Sequence, residues 1–306
     1  MKVIDILKGI KKGDIGILSK AITLVESTTS SDRIKANKLI DLCLKERKET
    51  KKICISGPPG VGKSTFINQL GFYLLNNKKR IAVLAIDPSS KKSNGSILAD
   101  KTRMSDISSH KNVFIRPSPS SGSLGGINSS TRESVILCET FGFDVIIIET
   151  VGVGQNEIDG YSISDCYILL TLPKSGDQIQ AIKKGILEFA DFIIIHKSDL
   201  ISKVELVKEK NYYLETFNNK KIVESFSSIK KTEIGTIWEK IENHSSKKDL
   251  INKQMKLLHE AIKEELKYKF YKNYEVQVQI NRYKRNNLDG LNMKKIAKKL
   301  VENFLK

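Results

Sequence analysis

Gly57-Pro58-Pro59-Gly60-Val61-Gly62-Lys63-Ser64 stands between the apolar run Ile53-Cys54-Ile55 and a helix-like segment that opens at Lys63. The spacing is that of a phosphate-cradling loop. Its glycines let backbone N–H groups turn inward on phosphates, Lys63 reaches the terminal ones, and Ser64 can ligate magnesium. Gly57, Gly60, Val61, Gly62, Lys63, Ser64 and Thr65 are therefore expected to hold a nucleotide.

Outward from that loop, short β-rich runs alternate with helical stretches from about residue 51 to 200. The runs are Ile53–Ile55, Ile81–Ile86, Val113–Ile115, Val145–Ile148, Ile168–Leu172 and Phe192–Ile195, and Ile222-Val223 with the following Ser225 to Ser228 can add a last strand and loop. This alternation predicts an α/β fold, a mostly parallel sheet flanked by helices, and together with the phosphate loop it places the chain in the P-loop NTPase class with helical N- and C-terminal extensions. Residues 1–50 read as a helical N-terminal extension, because Val3, Ile6, Leu7 and Ile10, then Leu18, Ala21, Ile22 and Val25, recur at three- and four-residue intervals. Residues 51–245 form the nucleotide-binding domain and residues 246–306 a helical, lysine-rich C-terminal arm. The serine- and glycine-rich stretch from Ser118 to Gly126 lies inside the α/β block, and we read it as a loop at the nucleotide end, since a linker there would split the sheet.

A chain of 306 residues with 40% hydrophobic content can fill a sizeable core. No apolar stretch approaches the roughly 18 residues of a membrane-spanning helix. The N-terminus carries neither a secretory nor a transit pattern, so the expectation is a cytoplasmic protein without a membrane partner. The four cysteines, Cys43, Cys54, Cys138 and Cys166, are dispersed and suggest neither zinc nor disulfides. A net charge of +17 invites nucleic acid as a partner. Lysines far outnumber the eight arginines, however, and no aromatic-interleaved basic platform accompanies them, so we read a solvated lysine-rich surface and no nucleic-acid partner.

Three further motifs narrow the chemistry. Val145 to Ile148 end in Glu149-Thr150-Val151-Gly152, placing a carboxylate and then a glycine where a magnesium shell and a γ-phosphate sensor are needed. Ile81 to Ile86 end in Asp87-Pro88-Ser89-Ser90, and Asp100 follows; both carboxylates suit a divalent ion between phosphates. His196-Lys197-Ser198-Asp199 resembles the N-K-x-D base-recognition element of GTPases, in which the aspartate accepts two hydrogen bonds from guanine and the lysine stem covers the base. Asp199 therefore argues for GTP. The departure is His196, an imidazole where the pattern has an asparagine amide that bridges base and phosphate loop, and it predicts a retained guanine preference with weakened affinity. His196, Lys197, Asp199, Gly152, Ser227 and Ser228 complete the expected nucleotide-binding set.

Longer matches carry a family resemblance over about residues 15 to 245. They are G-P-P-G-V-G-K-S-T-F at 57–66, A-I-D-P-S-S at 85–90, G-S-I-L-A-D-K-T-R-M at 95–104 and F-I-R-P-S-P-S-S-G-S-L-G-G at 114–126, then E-T-V-G-V-G-Q at 149–155 and G-D-Q-I-Q-A-I-K-K-G-I at 176–186, with A-I-T-L-V-E-S at 21–27. The chain resembles the methylmalonyl-CoA mutase-associated GTPases, bacterial G-protein chaperones of a cobalamin enzyme, with their human mitochondrial relative. The resemblance implies a homodimeric GTPase, binding GTP or GDP with Mg2+, that assists loading, release or protection of adenosylcobalamin in methylmalonyl-CoA mutase or a related acyl-CoA mutase. It places Lys63 and Ser64 on the phosphate and magnesium positions, and Asp87, Asp100 and Glu149 on acidic magnesium-site and switch positions. Gln155 falls in the second switch, and Lys183 and Lys184 on a further loop that responds to the partner. None of these is a strong base, which implies slow intrinsic hydrolysis that a partner accelerates by ordering the switches. The C-terminal stretch falls where the family has its dimerisation arm. Three competing readings are a kinase linked to basic-amino-acid transport, a metal-insertion GTPase, and a non-hydrolytic nucleotide-reporting scaffold. The first lacks a recognisable acceptor site; the second needs His- or Cys-rich segments, whereas His110, His196, His244 and His259 are isolated.

Overall fold

Near-continuous runs of isoleucine, valine and leucine suit strands buried on both faces, and they build a seven-stranded sheet in which every pairing among the described residues is parallel. The structure is a computed structural model that describes residues 1–87, 104–119, 129–150, 156–174, 189–230, 233–244, 250–285 and 292–305. Strands β1 (Lys51–Ser56), β2 (Ile81–Asp87), β3 (Val113–Pro119), β4 (Val145–Glu149), β5 (Cys166–Thr171), β6 (Phe192–His196) and β7 (Ile222–Phe226) stand in the order β3-β2-β4-β1-β5-β6-β7. The expected α/β sheet and its last strand are both present.

Several strands differ in extent from the apolar runs, β1 starting at Lys51 among them, and for β3 and β5 the structure shows the physical reason. β3 runs on to Pro119, through Pro117, with Asp87 opposite Pro119. It is an edge strand, where a missing N–H faces away from the ladder, and proline is tolerated there. β5 begins earlier, at Cys166, because Cys166 and Tyr167 pair with Ile53 and Cys54 and are fully buried; Leu172, only half-buried, has left the ladder.

Among the described residues, apolar clusters line both sides of the sheet. On one side of the sheet Ile53, Ile55, Ile147, Ile168, Leu170 and Ile194 pack with Phe66, Ile67, Leu70 and Leu74 of the helix Lys63–Asn76 and with Trp238 and Ile241 of the helix Ile234–Asn243. A second cluster joins Cys54, Tyr167, Leu169, Ile193, Ile195 and Val223 to Tyr213 of the helix Lys203–Thr216. A capping box at that helix, where Ser202 and Glu205 exchange side-chain and backbone hydrogen bonds, fixes its start. All four cysteines are buried free thiols.

The N-terminal helices, Val3–Lys11, Ile15–Glu26 and Ser30–Leu44, belong to the same compact unit, Met1–Lys247. Asp14 and Thr29 cap the second and third through their side-chain oxygens. Their apolar stripe, with Ile10, Leu18, Ala21, Ile22 and Leu39 buried, packs against the helix Ser129–Phe141. A second unit, Lys248–Lys306, contains the helices Leu250–Lys272, Tyr274–Arg285 and Met293–Phe304. Within it Val276 and Leu300 are buried and Phe270 meets Phe304 edge-on at 5.2 Å. Among the described residues no helix is long and apolar enough to cross a membrane.

Ile168 lies at the middle of β5, fully buried between β1 and β6. Ile168→Ala should destabilise the sheet unit by about 2–5 kcal/mol, read as a lower denaturant midpoint in equilibrium unfolding followed by the single tryptophan, Trp238, in that unit.

Candidate functional site

Parallel strands end on a common edge, and there the phosphate loop leaves β1. Gly57 takes φ +153°, and a Cβ at this position would lie 2.6 Å from the Leu170 carbonyl oxygen on β5. Gly62, at φ +101°, is the left-handed residue that turns the loop into the helix Lys63–Asn76, so the first backbone N–H groups of that helix open toward the hollow of the loop. Val61 anchors the loop from below, its side chain fully buried in the core. Lys63 lies across the loop, its Nζ donating to the Gly57 carbonyl at 2.8 Å and the Pro58 carbonyl at 3.3 Å. Thr65 is exposed one residue beyond Ser64.

Ser64 and Glu149 are 85 residues apart in sequence and meet at the end of the sheet, the Ser64 hydroxyl donating to Glu149 Oε1 at 3.1 Å. The meeting follows from register: Ile55 on β1 pairs with Glu149 on β4, and the Thr150 N–H donates to the Ile55 carbonyl at 3.0 Å. Asp87 closes β2 two residues beyond Ala85, the register partner of Glu149, so its backbone reaches the same edge. Hard oxygen donors from a serine and a carboxylate suit magnesium, which is typically held by one or two carboxylates plus substrate phosphates. Among the described residues no three His, Cys, Asp or Glu side chains gather into a metal cage. Asp100, Gly152, Gln155, Lys183 and Lys184 lie outside the described residues.

A second cluster forms where β6 and β7 end. His196 is 1% exposed, and its Nδ1 lies 2.6 Å from the Val61 carbonyl oxygen. A carbonyl can only accept, so the proton is on Nδ1 and the ring makes the phosphate-loop half of the bridge expected of an asparagine. The ring stacks on Phe226 (5.6 Å, 8°) and meets Phe66 edge-on at 6.5 Å. Burial, outweighing the Val61 contact, holds this imidazole below its ordinary pKa. Lys197, in a left-handed turn at φ 57°, sends its Nζ back to the Gly60 carbonyl at 3.1 Å. The short 3-10 turn Ser198–Leu200 presents Asp199, whose Oδ1 accepts from the Ser227 hydroxyl at 2.5 Å. That hydroxyl keeps the Asp199 carboxyl below its usual range and hence ionised. Ser227 in turn accepts from the Lys230 N–H at 3.3 Å, while Ser228 follows it in the same loop.

The fold thus joins the loop Gly57 to Ser64, with Glu149, to the cluster of Lys197, Asp199 and Ser227 through His196. The Val61 carbonyl as the receiver of His196, Phe226 as its stacking partner and Ser227 as the support of Asp199 are not legible in the sequence. No spacing signal marks them, because each contact joins elements distant in the chain.

A family model described as methylmalonyl Co-A mutase-associated GTPase MeaB matches residues 18–276. A Mycobacterium tuberculosis protein named "Probable GTPase" is 51% identical over 190 residues, 62% of this chain and 56% of that protein. The mouse protein named "Methylmalonic aciduria type A homolog, mitochondrial" is 47% identical over 201 residues, 62% of this chain and 48% of that protein. The chain therefore spans about half the length of the curated relatives it matches. The crystal structure of LAO/AO transport system kinase aligns with 100% of this chain and 98% of its own, at a TM-score of 0.70 and 25% identity.

Gly62→Ala should strain a left-handed position and drive a Cβ into the His196 ring. At a cost on the order of 1–3 kcal/mol or more, it lowers nucleotide affinity at least about tenfold or lowers Tm by several degrees, read by calorimetric titration and thermal unfolding. The depressed pKa of His196 gives a second expectation. Below about pH 6.5 the unfolded chain takes up a proton at this position that the folded chain refuses, so stability declines as pH falls and levels off once the folded ring also protonates. His196→Asn carries no such proton, and its Tm should fall less than the unmodified protein's between about pH 7 and 5.

Proposed function

The chain belongs to the methylmalonyl Co-A mutase-associated GTPase MeaB family, and from that premise we propose that it binds GTP with magnesium, hydrolyses it slowly alone, and assists adenosylcobalamin loading, release or protection in an adenosylcobalamin-dependent acyl-CoA mutase. Methylmalonyl-CoA mutase is the first candidate client, since the family description and the mouse relative's name both point to methylmalonyl metabolism. The observation that carries the nucleotide part is the two-ended site: Ser64 bonded to Glu149 at the phosphate end and an ionised Asp199 held by Ser227 at the base end. An aspartate carboxylate complements the adjacent ring N–H and amino group of guanine, a pair that adenine lacks.

In this reading Lys63 would leave the Gly57 and Pro58 carbonyls for the terminal phosphates, and Ser64 with Glu149 and Asp87 would hold the metal. Magnesium bound there would neutralise charge developing between the β- and γ-phosphates. Asp100 would join that metal set and Gly152 would offer its N–H to the γ-phosphate, while Gln155, Lys183 and Lys184 act in switch and partner-response segments by family resemblance, the described site itself containing no strong base beside the phosphate loop. A homodimer formed through the C-terminal helices, and a cytoplasmic location, belong to the same proposal.

Phosphate release from GTP and from ATP, with magnesium and with and without an adenosylcobalamin-dependent mutase, tests it. GTP should be turned over in preference to ATP and faster with the mutase present, while Lys63→Ala should lower turnover at least about a hundredfold. Equal use of ATP would remove the base assignment, and absence of stimulation would remove the client. Transfer of the γ-phosphate to a protein rather than to water would favour a kinase, the activity for which the structural neighbour is named.

A further inference from the structure

Resting on the guanine-nucleotide reading above, we infer that this site reads guanine only along its Watson–Crick edge, through Asp199, and that His196 removes the second reading, at N7, which an asparagine amide at this place would make. In the N-K-x-D element one amide serves both base and phosphate loop. His196 serves only the loop. Its Nδ1–H is committed to the Val61 carbonyl at 2.6 Å, which leaves Nε2 as a bare acceptor.

Two independent features keep that acceptor from the base. The first is access: Nε2 is closed to solvent and has no hydrogen-bond partner among the described residues, and the ring is clamped between Phe226 on its face and Phe66 at its edge. A nitrogen that a water molecule does not reach is out of reach of a larger purine. The second is polarity: the edge of guanine beyond its Watson–Crick face displays N7 and O6, both acceptors. An acceptor turned toward them would repel, so even a rearrangement that opened Nε2 would create no bond. Asp199 has the opposite character. It is partly exposed, ionised, and oriented by Ser227, so it can accept from the ring N–H and the amino group together. His196 is then a positioning residue that ties the base-recognition turn to the phosphate loop, and Asp199 is left as the base reader.

Calorimetric titration of the full chain with GDP and with 7-deaza-GDP, which differs at N7 alone, tests the inference. The unmodified protein should bind the two within about twofold of each other. His196→Asn should prefer GDP over the analogue by roughly three- to tenfold, the size of a single neutral hydrogen bond, a ratio that a merely structural role of the side chain would leave unchanged. A preference of more than about threefold for GDP in the unmodified protein overturns the inference, and that arm needs no variant to fold. An equal ratio in both proteins overturns the assignment to position 196. Failure of the unmodified protein to bind GDP at all overturns the guanine-nucleotide reading and this inference with it, whereas tight GDP binding that depends on N7 overturns the inference alone.

Discussion

Parallel strands must all emerge at the same edge, and in this sheet that constraint supplies the site with its parts. β1 lies at the centre, between β4 and β5, so the loop that leaves it has Glu149 on one side and the Leu170 backbone on the other. The closeness of that backbone makes a side chain at residue 57 untenable, and the register of Ile55 with Glu149 brings an acidic oxygen to Ser64. β2, on the far side of β4, carries Asp87 to the same edge, and β6 delivers His196 and Lys197 from the opposite direction. The stability of this arrangement comes from burial of isoleucine and leucine on both faces, each contributing about 1.5–3 kcal/mol, so the elements that bear the polar groups are the same ones that fill the core.

His196 converts two separate strand ends into one device. A buried imidazole needs a partner for its proton, and the Val61 carbonyl supplies one from a loop 135 residues earlier in the chain. With Phe66 from the phosphate-loop helix and Phe226 from β7 against its ring, the residue packs where helix, loop and two strands meet. Movement of the phosphate loop would therefore be felt at the turn that holds Lys197 and Asp199, because Val61 and Gly60 are held by consecutive residues, His196 and Lys197. Ser227, just past β7, closes the circuit, its hydroxyl holding the Asp199 carboxylate.

Much of this is legible in the chain itself. The phosphate loop, the seven apolar runs and the helical start at Lys63 are local signals, since strand and helix periods and glycine-dependent turns are written in neighbouring residues. Strand ends were less legible: Pro117 and Pro119 argue against a strand until the edge position of β3 is known, and the early start of β5 at Cys166 depends on its pairing with Ile53.

What the sequence by itself determined is the class of fold, the place of the phosphate loop and the identity of the groups available for nucleotide chemistry, because each follows from residue type and short spacing. Only the tertiary structure decided which of those groups meet. Ser64 with Glu149, His196 with Val61 and Asp199 with Ser227 are contacts between residues far apart in the chain, fixed by strand order and register. The tautomer of His196 was decided there too, since a proton on an imidazole follows the acceptor placed beside it, and that acceptor arrives through folding.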